Sequence, residues 1–162
     1  MKNNSSDLTI RRNLSGIRWR WVALTIVVTL WLLGMTLRPG FTPNGVNLVP
    51  FAENGRAVSC LFNAACLYRR VSLWTVVVNI MGNVIAFIPL GMGLAGLYPH
   101  RRAGRLVLRA ALGGGLLSLV IELLQLTIPT RATDIDDIIL NTLGAAVGAG
   151  IFLWLNRMKS GD

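Results

Sequence analysis

Polar side chains are sparse in this 162-residue chain, and the chemically useful ones recur at helical spacings. Asn79 and Asn83 stand four apart, Glu122 and Gln125 three apart, and Asp137 and Asn141 four apart. Each pair shares one face if its segment is a helix. Between the last two pairs runs Thr-Arg-Ala-Thr-Asp-Ile-Asp-Asp, which supplies Arg131, Asp134, Asp136 and Asp137. Three chemistries fit these residue types. Glu122, Asp136 and Asp137 are oxygen donors suited to a hard divalent cation such as Mg²⁺ or Ca²⁺, which makes such an ion a candidate cofactor. Glu122 can serve as a general acid or base. Arg131, with Arg69 or Arg70, can hold a phosphate, while Asn79, Asn83 and Gln125 hydrogen-bond a sugar or peptide headgroup. No nucleophile accompanies them, because Ser118 sits a turn deeper with no evident base. One histidine, His100, excludes a His-rich metal site or a histidine-based triad.

These residues are embedded in apolar sequence. Only 14% of the chain is charged and its mean hydropathy is +0.57, whereas soluble domains carry about 25% charged residues. Four runs are long enough to cross a bilayer: about 21–37, 73–98, 106–128 and 136–156. The sequence therefore predicts an all-α integral membrane protein, a four-helix transmembrane bundle occupying residues 21–156. A basic segment precedes it (1–20) and a short tail follows it (157–162). The first run is read as an uncleaved anchor, since it exceeds a signal's apolar stretch and no small-residue cleavage site follows it. The connection 39–70 is too long to be idle. Within it Ala57–Tyr68 is apolar but too short to span, so an interfacial or re-entrant piece is expected there.

The net charge of +9 does not indicate nucleic acid, because the basic residues cluster between apolar runs rather than along one polar face. They set orientation instead. Eleven Lys and Arg flank one side (Lys2, Arg11, Arg12, Arg18, Arg20, Arg101, Arg102, Arg105, Arg109, Arg157, Lys159). Five flank the other (Arg38, Arg56, Arg69, Arg70, Arg131). Both termini are expected in the cytoplasm. That places Asn79, Asn83, Glu122, Gln125, Arg131, Asp134, Asp136, Asp137 and Asn141 together at the outer leaflet.

Plainer roles compete for each of them. The amides can join helices by hydrogen bonds. Asp134 or Asp136 can cap the fourth span, with Arg131 neutralising them. Capping does not account for Glu122, since a charge in hydrocarbon costs about 2.5–3.5 kcal/mol. Polar groups confined to one leaflet do not form a continuous path, which argues against a monomeric channel but leaves a small transport or scaffold protein open. Gly91, Gly93 and Gly96 spell GxGxxG inside a span with no preceding strand, so they do not signal a dinucleotide site. Gly113–Gly115, Gly144 and Gly148 read as close-packing positions, and Pro89 as a bend in the second span. Cys60 and Cys66 pair only if their segment meets an oxidising compartment.

Taken in order, these residues resemble the VanZ-like family. The likeness rests on Asn47-Leu48-Val49-Pro50-Phe51, Asn79-x-x-Gly82-Asn83, Phe87-x-Pro89-Leu90-Gly91 and Glu122-x-x-Gln125. It continues through Arg131-x-x-Asp134-x-Asp136-Asp137-x-x-x-Asn141-x-x-Gly144-x-x-x-Gly148, and covers about residues 47–152. The resemblance implies a protein of the bacterial cytoplasmic membrane, related to one conferring low-level resistance to teicoplanin-type glycopeptides. The expected partners are the lipid bilayer and a lipid-linked or cell-wall precursor group. Cys60, Cys66 and the basic N-terminus stand outside the motif.

Overall fold

A computed structural model describes residues 4–40, 45–63, 69–98 and 102–160. Among these residues the chain forms five helices: α1 (Asn4–Thr36), α2 (Ala52–Phe62), α3 (Arg69–Gly96), α4 (Ala103–Gln125) and α5 (Ile135–Ser160). Four are long and apolar enough to cross a membrane, over Arg18–Thr36, Val76–Gly96, Ala103–Gln125 and Ile135–Lys159. A helix answers every backbone donor within its own segment, which lipid requires. The chain is a multi-pass membrane protein with the expected four-helix architecture. Cys66, His100 and Arg101 lie outside the described residues, as do the side chains of Arg69 and Arg70.

Helix α4, the third span, stops three residues short of the expected limit at 128. After Gln125 the chain tightens into short turns, with Thr127 N donating to Leu124 O at 3.1 Å and Ile128 N to Gln125 O at 2.9 Å. Pro129 is the physical reason, because the residue before a proline is pushed out of the helical region. Pro89, by contrast, lies within α3, and the helix continues past it.

Helix α5 packs along α3 and α4, and glycine sets the separations. A side chain at Gly144 would strike the Val84 carbonyl, one at Gly148 the Ile88 carbonyl, and one at Gly91 the Ala145 backbone. At Gly114 it would meet the Ala145 Cβ. Backbones this close maximise dispersion contact, the main packing force available where lipid is as apolar as the helices. The GxGxxG run has the same use: Gly91 abuts Ala145, Gly93 abuts Thr25 and Gly96 abuts Trp21. Inside the bundle, Val28, Leu32, Phe87, Leu90 and Ile121 form one buried cluster. Ala95, Ala110, Ala149 and Phe152 form a second, with Trp21 set edge-on to Phe152 at 5.1 Å between centroids.

Helix α2 is the short apolar piece of the first connection. It begins five residues earlier than the apolar run suggested and, at eleven residues, is too short to span. It rests on α3, with Val58 and Phe62 exposed. One element was not anticipated. Gly45–Asn47 (β1) pairs in parallel with Ala132–Asp134 (β2), placing Asn47 opposite Asp134. This small sheet ties the first connection to the turn between α4 and α5. It lies at the end of the bundle where α1 and α4 finish and α3 and α5 start, referred to below as the polar end.

Candidate functional site

Three carboxylates stand within four residues where β2 gives way to α5 at the polar end, and two of them are committed to structure. Asp134 caps the helix, its Oδ1 accepting the Asp136 N–H at 2.9 Å. The same carboxylate receives Asn47 Nδ2 at 3.1 Å on each oxygen. Asp136, 2% exposed, accepts the Phe51 N–H at 2.6 Å and Asn54 Nδ2 at 3.0 Å. Phe51 adopts a left-handed backbone with φ 57°. A bulky residue held there costs about 1–3 kcal/mol, and such strain persists only where the surroundings dictate it. Here the turn starts α2 and aims the Phe51 N–H at Asp136.

Glu122 and Asp137 stand differently. Glu122 is 2% exposed, near the end of α4, and its Oε2 accepts the Asp134 N–H at 3.0 Å. Asp137, half-buried in the first turn of α5, accepts Asn83 Nδ2 from α3 at 2.6 Å. Their relation follows from the bond one turn deeper, where Asn141 Nδ2 donates to Ser118 Oγ at 2.8 Å. The helices are antiparallel, so four residues up α4 from Ser118 faces four residues back along α5 from Asn141. That pairing sets Glu122 opposite Asp137, in electrostatic reach of each other.

Gln125 and Arg131 serve α1. Both donate to the Thr36 carbonyl, Gln125 Nε2 at 3.0 Å and Arg131 Nη2 at 2.6 Å, and the same Nη2 reaches the Met35 carbonyl at 3.5 Å. The last carbonyls of a helix have no partner within it, and these two side chains supply donors. Arg131 is therefore turned toward α1, not extended as the phosphate-binding arm the sequence suggested. Asn79, half-buried one turn beyond Asn83 on α3, makes none of these contacts.

The metal expectation requires correction. Among the described residues no group of three or more His, Cys, Asp or Glu could hold an ion. Asp136 faces the α2 start while Glu122 and Asp137 face each other, so the three do not form one ligand set. Among the described residues four buried side-chain atoms lack a partner: Asn54 Oδ1, Gln125 Oε1, Asn141 Oδ1 and Arg131 Nε. Asn54 and Ser118 are the site residues that sequence reasoning did not select. Ser118, which has no base beside it to make it a nucleophile, acts as a hydrogen-bond acceptor for Asn141.

The polar motif residues named from the sequence thus lie at one end of one bundle, while Gly91 and Gly148 pack helices deeper within it. The VanZ/LLP1 family model matches residues 19–156. The chain belongs to the VanZ/LLP1 family. The match takes in the second and third membrane-crossing segments, all but the terminal residues of the first and fourth, and every residue of the polar end. No curated protein and no solved structure matches the chain. Within this VanZ-type site, Asp134 and Asp136 anchor the first connection, Gln125 and Arg131 anchor α1, and Glu122 and Asp137 meet above the Ser118–Asn141 bridge.

Proposed function

We propose that this VanZ-like envelope protein presents its polar end to the outer leaflet of the bacterial cytoplasmic membrane and binds there a lipid-linked or cell-wall precursor group. Occupancy of that group would change what a teicoplanin-type glycopeptide can reach, giving low-level resistance. The observation that carries the reading is the buried Glu122 set opposite Asp137, with amides from α3 and α5 around them. A pair of like charges at a membrane-embedded interface is costly if it only holds helices together. Two features support the orientation. Eleven of the sixteen basic residues flank the opposite side. Cys60, in α2 at the polar end, is disulfide-bonded, as suits an oxidising compartment.

The test is teicoplanin susceptibility of a susceptible Gram-positive host expressing wild type, Glu122→Gln or Asp137→Asn, with membrane abundance followed by blot. Wild type is expected to protect, and the variants to lose protection at equal abundance. Absence of protection by well-inserted wild type overturns the glycopeptide reading. Alkaline phosphatase fused after Lys159 reports the orientation: an active fusion places the C-terminus outside and overturns the outward placement of the site.

A further inference from the structure

Three buried amides of the polar end have each spent a donor and kept an unanswered acceptor. Asn54 Nδ2 goes to Asp136, Gln125 Nε2 to Thr36 and Asn141 Nδ2 to Ser118. The oxygen of each is left buried without a partner, in residues 4–5% exposed. An acceptor buried without a donor forfeits its hydration with nothing in return, so a donor brought to it is favoured. The Asn141 amide spans the gap between α4 and α5 directly beneath Glu122 and Asp137, since its nitrogen reaches Ser118 across that gap. Two carboxylates and an unanswered carbonyl oxygen therefore lie within one helical turn of each other at the α4–α5 interface. Arg131 lies within electrostatic reach of both carboxylates, yet its Nη2 is held by α1.

We infer that Glu122, Asp137 and Asn141 together bind a primary ammonium group. Resting on the reading of this end as a headgroup site, the inference names the class of group it takes. An ammonium brings one positive charge to two facing carboxylates and an N–H donor to the unanswered Asn141 oxygen. A phosphate would bring only further acceptors and negative charge to the same point. A quaternary ammonium keeps the charge and loses every donor. The ammonium belongs either to a lipid headgroup or to a free amine, and the two sources separate experimentally.

The full-length chain in dodecyl maltoside is titrated with dioleoyl phosphatidylethanolamine, with dioleoyl phosphatidylcholine, which differs only in its three N-methyl groups, and with free ethanolamine. Thermal retention of the monodisperse protein is the readout. The ethanolamine lipid is expected to stabilise at concentrations at least tenfold below the choline lipid. Glu122→Gln, Asp137→Asn and Asn141→Leu should each remove that preference. If ethanolamine alone reproduces it, the site takes a free amine; if only the lipid does, it takes the headgroup. Equal response to both lipids, or an equal response to Mg²⁺ or to phosphatidylglycerol, overturns the inference. A preference unchanged in Glu122→Gln and Asp137→Asn also overturns it, and these near-isosteric changes separate lost binding from lost folding. Protection from teicoplanin without amine preference would sink the inference and leave the proposed function standing. Amine preference without protection would do the reverse.

Discussion

Ser118 and Asn141 are joined across the α4–α5 interface by a buried 2.8 Å hydrogen bond, with Ser118 fully buried and Asn141 4% exposed. The bond fixes how the two helices slide past one another, and so fixes which residues meet one turn above it. Gly114 confirms the register one turn below, where its missing side chain makes room for the Ala145 Cβ.

Breaking that bond from either side should cost alike and not add. Ser118→Ala leaves the Asn141 donor buried and unpaired, and Asn141→Leu leaves the hydroxyl without its donor. Each is expected to lower stability in detergent by about 1–3 kcal/mol, and the double variant by less than the sum. A double-mutant cycle from thermal unfolding checks this; coupling in membrane bundles averages about 0.6 kcal/mol and reaches about 1.7. A coupling energy of zero would mean that the bond does not form.

Glycine substitutions should divide sharply by position. Gly144→Ala and Gly148→Ala drive a methyl into the Val84 and Ile88 carbonyls, which are backbone and do not yield. A loss of about 1–3 kcal/mol is expected from such overpacking. At Gly150 and Gly34 an added Cβ meets nothing within 4 Å. Alanine there should be neutral or stabilise by about 0.5–1 kcal/mol, as it does inside a helix. Comparative thermal unfolding of the four variants decides it.

How much of this could be read in advance depends on the type of partner each residue has. The spans were readable because four apolar runs leave lipid as their only suitable solvent. Glu122, Asp137 and Asn141 were readable because helical spacing and alternating span direction bring them to one level. The β1–β2 pairing was not, since two three-residue strands lie 87 positions apart and carry no periodic signal. Asn54 was hidden for a related reason. A polar residue in a polar connection looks solvated until its partner, Asp136, is known. Arg131 pointed to an anion by type, but its partner is the Thr36 backbone carbonyl, and a carbonyl leaves no trace in sequence.

The first connection should come loose when Asp136 is removed. Asp136→Ala deprives the Phe51 N–H and Asn54 Nδ2 of their acceptor at once. Hydrogen bonds to a charged acceptor contribute about 1.5–3 kcal/mol each, and the left-handed Phe51 loses the bond that balances its strain. Protease added to the protein in detergent is expected to cut within residues 45–63 several-fold faster than in wild type. Asp136→Asn retains one acceptor oxygen and should fall between. Asp137→Ala, which contacts α3 through Asn83 rather than α2, should leave the cutting rate of that segment unchanged.

Helix α1 depends on two donors at a single carbonyl, and this makes a prediction specific to Arg131. Thr36 O accepts from Gln125 Nε2 and Arg131 Nη2, while most of the α1 span is exposed to lipid. Its hold on the bundle therefore rests on Trp21 and Thr25 against Gly96, Phe152 and Gly93, on Val28 and Leu32 packed with Phe87, Leu90 and Ile121, and on this terminus. Gln125→Leu or Arg131→Ala alone leaves one donor in place, and each should reduce membrane abundance by less than half. The double variant leaves the carbonyl with neither, and abundance is expected to fall several-fold. Arg131→Lys restores a charged donor without the planar fork and should recover only part of the loss. Quantitative blots of the four variants distinguish this from a ligand-binding role. An Arg131→Ala protein with wild-type abundance, wild-type stability and no protection from teicoplanin would show that the guanidinium acts on a ligand and not on α1.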